Sequence, residues 1–147
     1  MSIDSWLASG RLAKHPPSAG EVASLLAEAD RALEAADAAG LAPAERFRHA
    51  GRAALSAAAA ALAAAGFRGA PQDDELVIDS LAETIGAGPA LVGRLRTLLA
   101  TRSPGGGPGV PVSPVDAELL RLTADALRID VEKWIRSRKP ELLTPAP

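Results

Sequence analysis

The sequence predicts an all-α protein, a helical bundle of four long helices plus a short N-terminal one, in a single domain over residues 1–147. Three observations point there. Apolar residues recur near the helical period of about 3.6 along most of the chain. The periodic stretches begin at capping residues and end at glycine or proline. Alternating strand patterns are almost absent, so no sheet is expected.

Each element follows from its own residues. Residues 2–10 form a short apolar helix or turn around Trp6 and Leu7, and Lys14 to Pro17 break the chain. The core bundle spans 18–139. Ser18 with Glu21 has the form of a capping box, in which the hydroxyl takes an orphan N–H and the glutamate reaches back. Val22, Leu25, Leu26, Ala29, Leu33 and Ala36 then share one face, and Gly40 supplies a left-handed stop. Pro43 suits the first position of the next helix, where its missing N–H costs nothing. That helix runs to Ala65, and Gly66 ends it. Its centre is nearly all alanine, which favours helix and also lets a neighbour approach closely, so it is expected to be the most buried. Residues 66–74 read as a loop.

Asp73 or Asp74 caps a further helix with Leu76, Val77, Ile78, Leu81 and Ile85 inward, ended by Gly86 and Gly88. Pro89 starts another, carrying Leu91, Val92, Leu95, Leu98 and Leu99. Ser103 to Pro111 is so rich in glycine and proline that no helix survives it, and 103–112 reads as a flexible surface loop. Ser113 and Pro114 open the last helix. Leu120, Ala124, Leu127, Val131 and Trp134 recur on it with heptad-like spacing, flanked by Leu119 and Ile135. Pro140 stops it, and the tail 141–147 is expected to fray.

Composition narrows the function. At 147 residues, folding buries about 68–70% of the unfolded surface, enough for one core. There is no cysteine, hence no disulfide, thiolate metal site or thiol nucleophile. Only His15 and His49 offer imidazoles. There is no tyrosine, and Trp6, Phe47, Phe67 and Trp134 are the aromatic residues, too few to stack single-stranded bases. A formal net charge of −2 argues against a protein that coats DNA or RNA. The longest apolar run, Ala57 to Ala65, is too short to span a bilayer. The first residues lack the basic start and apolar middle of a signal peptide, so a cytoplasmic protein that binds no membrane is expected.

Candidate chemistry is sparse. Gly105 to Gly109 follows a helix, with no lysine near it, and is a poor match to a phosphate-binding loop. Asp73, Asp74 and Glu75, with Asp79 and Glu83, resemble a cation site less than a solvated helix start favoured by the macrodipole. No metal and no cofactor are expected. His49, next to Arg46, Phe47 and Arg48, reads as a surface or interface residue rather than a base. Arg128, Lys133, Arg136, Arg138 and Lys139 gather where cations suit a helix C-terminus, and an RNA or acidic-partner surface is the alternative.

One set of motifs goes further. Arg46-Phe47-x-x-Ala50-Gly51-x-Ala53-Ala54-Leu55 is followed by Ala61-Leu62-x-Ala64-Ala65-Gly66-Phe67-Arg68. Leu7-Ala8-x-Gly10-Arg11-Leu12 precedes them, and Val112-Ser113 opens a helix ending in Val131-x-x-Trp134-Ile135. Together these resemble HEPN-domain proteins over almost the whole chain. The resemblance implies a helical bundle that dimerises, and a setting in toxin–antitoxin or defence systems, where many members are RNases and some pair with a small nucleotidyltransferase.

It also implies a defect. The family's catalytic arginine would be Arg102, yet Ser103 to Pro108 follow without the histidine that completes the motif. The family's Ala-Tyr pair reads Ala50-Gly51, and Gln72, Asp73 and Asp74 stand where histidines often follow. Metal-independent RNA cleavage needs a base near the 2′-hydroxyl and a cation at the phosphorane, and only the cations are supplied. The expectation is a HEPN-like binding or regulatory module without catalytic residues, a homodimer, with Arg46, Arg68, Arg94, Arg96 and Arg102 as the RNA- or partner-binding set. A residual RNase using Arg94, Arg96 or Arg102 is one alternative, and an unrelated helical scaffold the other.

Overall fold

The computed structural model describes residues 3–70, 73–100 and 112–143. Its elements, in order, are α1 (Ile3–Ala8), β1 (Leu12–Lys14), α2 (Ala19–Ala36), α3 (Pro43–Ala64), β2 (Phe67–Gly69), α4 (Asp74–Asp79), α5 (Pro89–Ala100) and α6 (Pro114–Arg138). Short 3₁₀ turns follow α4, at Ser80–Ala82, and α6, at Pro140–Leu142. The architecture is therefore mostly helical, as the periodicity predicts.

Three helix starts use the side chains their sequences offer. Ser18 Oγ accepts the Glu21 N–H at 3.3 Å, Asp73 Oδ1 the Leu76 N–H at 3.2 Å, and Ser113 Oγ the Asp116 N–H at 3.0 Å. At Ser18, however, the Glu21 carboxylate is hydrogen-bonded to His15 Nε2, 2.7 Å away. Helix ends are closed by cations from other elements. Arg46 Nε donates to the Ala36 carbonyl at 2.9 Å, and Lys139 Nζ to the Ala64 carbonyl at 2.8 Å. Both satisfy last-turn carbonyls that have no partner within their own helix.

The core is organised around α3. Thirteen of its 22 residues are buried: nine alanines between Ala50 and Ala64, with Phe47, Gly51, Ser56 and Leu62. It lies between α2 and α6 and packs along both, while those two meet each other only at their margins. Small side chains make this possible, because the distance between packed helices is set by the residues at the contact. From α2 come Val22, Leu26, Ala29, Leu33 and Ala36; from α6 come Ala117, Leu120, Ala124, Leu127, Val131 and Ile135. The heptad-like row on the last helix is thus consumed inside the protomer, with Trp134 half-buried at its end. That row and the alanines of α3 are both buried in the protein's own core.

Three expectations are corrected. The sheet-free reading misses β1 and β2, which pair antiparallel with Leu12 opposite Gly69, Ala13 opposite Arg68 and Lys14 opposite Phe67. His15 N–H to the Gly66 carbonyl and Ala70 N–H to the Arg11 carbonyl, both 2.9 Å, extend the ladder at either end. Gly66 turns the chain at φ +95°, a conformation glycine adopts without a Cβ penalty. The helix expected up to Ile85 ends at Asp79 and tightens into a 3₁₀ turn. There the buried Ser80 hydroxyl donates to the Val77 carbonyl at 2.7 Å, and Thr84 Oγ1 to the Ser80 carbonyl at 3.1 Å; such local bonds compete with the regular helix ladder. Finally, the tail does not fray at Glu141: Leu142 is 8% exposed and packs on the core. No helix among the described residues is long and apolar enough to cross a membrane.

Candidate functional site

An open cleft of about 930 Å³ lies between α3, α4 and α5. It exists because α5 is thinly attached. Only Leu95 and Leu98 of its 12 residues are buried, so it leans on the bundle through one edge. Gly51 of α3 sets the approach on that edge. A Cβ there would sit 3.2 Å from Leu99 Cδ2 and 3.7 Å from Leu120 Cδ2.

The floor is apolar, made by Phe47 and Leu55 of α3, Ile78 of α4 and Leu99 of α5. Two rims differ in charge. On α3, Arg48 and Arg52 are one helical turn apart and therefore neighbours. Both are exposed, and neither forms an ion pair among the described residues. On the opposite rim Arg96 of α5 is hydrogen-bonded to Glu75 and lies 3.4 Å from Asp79 of α4. That pairing ties α5 to α4, and among the described residues that line the cleft Arg48 and Arg52 are the cations without an ion pair. Free guanidiniums bind carboxylate or phosphate groups through paired N–H donors. The other ionisable groups lining the cleft are Asp74 and Glu75; no histidine, lysine or tyrosine is among the lining residues.

The five arginines put forward from the sequence are not brought together. Arg96 reaches the cleft. Arg46 caps α2, Arg68 is exposed on β2, and Arg94 is exposed on α5 outside the cleft lining. Arg102 and the glycine-proline segment 103–111 lie outside the described residues. Arg48 and Arg52 were missed, although their spacing of four on a helix was a readable signal.

The acidic run at 73–79 is divided among arginines. Arg11 grips Asp73 through Nε at 2.9 Å and Nη2 at 3.1 Å. The Arg11 hydrogen bonds, helped by the Leu76 N–H, hold the Asp73 carboxyl below the usual carboxylate range against its partial burial. The basic cluster of α6 is likewise dispersed. Arg128 binds Asp30 and Glu132, Arg136 binds Glu132, and Lys139 caps α3. His49 is half-buried on α3 and does not line the cleft.

Comparison with protein-family models, with curated proteins and with solved structures gives no match for this chain.

Proposed function

We propose that this chain is a non-catalytic, HEPN-like binding or regulatory module of the kind found beside a nucleotidyltransferase in toxin–antitoxin or defence systems. The observation that carries the reading is the cleft, with its apolar floor and, on one rim, Arg48 and Arg52, which form no ion pair among the described residues. Such a site holds an anionic or amphipathic segment by burial and guanidinium contacts. General acid–base catalysis needs a proton-transfer group within hydrogen-bond reach of the substrate. Of the two carboxylates that line the cleft, Glu75 is held by Arg96 and Asp74 stands in the first turn of α4. Gly51 supports the same reading, because the family's tyrosine position is here a glycine that opens on the cleft.

The test is incubation of the purified protein with total RNA and defined oligonucleotides, with and without divalent metal. No specific cleavage is expected. Cleavage abolished by Arg96→Ala or Arg52→Ala would replace this reading with that of a residual RNase.

A further inference from the structure

Val115, Leu119, Leu122 and Ile129 are the large apolar side chains that the described residues leave exposed, at 74%, 36%, 52% and 48%. Isolated exposed apolar residues are ordinary, but a contiguous row marks a contact surface. These four form such a row. All lie on α6, at steps of four, three and seven residues, with the exposed Ala126 in the remaining position. That is a heptad seam, and it runs on the side of α6 turned away from Leu120, Leu127 and Val131 in the core. From Val115 to Ile129 it measures about 21 Å at 1.5 Å per residue, room for about four turns of one partner helix.

The flanks select the partner. Glu118, Asp125 and Glu132 border the row on one side, Asp116 and Asp130 on the other. Of the basic residues nearby, Lys133 is exposed at the C-terminal end of the row, Arg136 is paired with Glu132, and two others are committed to carboxylates of α2 and α6. Arg121 is 3.0 Å from Asp37 of α2 and bonded to Glu118; Arg128 is 3.0 Å from Asp30 of α2 and from Glu132. Four cations, Arg121, Arg128, Lys133 and Arg136, thus stand against these five carboxylates together with Asp30 and Asp37, and the face stays acidic. A second copy of this chain laid on the row meets its own charge. Antiparallel pairing sets each acidic flank against itself, and parallel pairing sets one acidic flank against the other. Charges at such flanking positions decide partner choice in paired helices.

We propose that the outer face of α6 docks an amphipathic helix of a different protein, one whose apolar stripe is bordered by lysines or arginines. The assignment rests on α6 alone and stands whether or not the cleft binds anything.

The experiment uses the full chain and two labelled helical peptides of 18 residues, as long as about five turns. Both carry leucine at the two seam positions of each heptad; one has lysine at the flanking positions, the other glutamate. Fluorescence anisotropy should give saturable binding of the lysine peptide, with the glutamate peptide weaker by about tenfold or more, equivalent to about 1.4 kcal/mol. Leu122→Gln with Ile129→Gln should weaken the lysine peptide by a similar factor while the helical spectrum stays that of the wild type. Asp125→Lys with Asp130→Lys should turn the preference toward the glutamate peptide. Equal binding of the two peptides, no saturable binding, or binding indifferent to the glutamine pair overturns the proposal. So does a light-scattering mass of a dimer that the glutamine pair converts to a monomer, because a second copy would then be the occupant.

Discussion

The two faces of α6 carry similar apolar rows with opposite fates. On the inner face Ala117, Leu120, Ala124, Leu127 and Val131 are at most 1% exposed, while on the outer face Val115, Leu119, Leu122 and Ile129 are 36–74% exposed. Hydrophobicity does not separate them, since leucines and a β-branched residue occur in both. What separates them is the neighbour. The inner row meets the alanines of α3, small enough for the helices to close together. Among the described residues, the outer row is left exposed beside its own acidic flanks. Periodicity gives a helix its faces; the chemistry beside each face decides whether the chain itself or another molecule covers it.

The largest expected effect belongs to the inner face. Leu127→Ala removes a side chain that is 1% exposed and leaves a cavity against α3. Urea unfolding should show a loss of about 2–5 kcal/mol. A loss below about 1 kcal/mol would mean the inner face is loosely packed and the contrast between faces is weak.

A smaller effect is expected where α4 meets the two-stranded sheet. Asp73 caps α4 and binds Arg11. Asp73→Ala should cost about 1 kcal/mol, the usual value of an N-cap. The effect should depend on pH with a definite sign. The folded Asp73 carboxyl is held below its ordinary range, chiefly by Arg11. Its contribution is therefore full above the unfolded value near 3.9 and is lost as pH falls through the lower folded value. The stability gap between wild type and Asp73→Ala, followed by denaturation from neutral to strongly acidic pH, should narrow only in that acid range. A gap that is constant with pH would show that Arg11 and Asp73 do not interact through charge.

Much of this architecture was legible in the residues. Ser18, Asp73 and Ser113 announce their helices because an N-cap is a local bond between a side chain and the backbone three residues on. The burial of α3 was legible too, since a run of alanine is unusual unless a neighbour comes close. The sheet was not. Three residues are too few to show a period of two, and β1 pairs with a segment beyond two intervening helices. Nor could the ordering of α6 be read. Two apolar rows share the helix, and only the packing of α3 shows that Leu120, Leu127 and Val131 face inward while Val115, Leu122 and Ile129 are exposed. In the cleft the arginine at Arg96 was anticipated, while Arg48 and Arg52 gain meaning only once α4 and α5 stand opposite them.

The smallest expected effect is the most telling. Urea unfolding of the Leu122→Gln, Ile129→Gln protein beside the wild type asks whether the outer face belongs to the fold. Glutamine and leucine are close in helix propensity, and surface changes away from special features stay within about 0.5 kcal/mol. Stability within that margin is expected, alongside the loss of lysine-peptide binding. A loss of about 2 kcal/mol or more, the size seen for buried side chains, would show that the protein's own chain covers this row and would contradict the division of α6 into a folding face and a docking face.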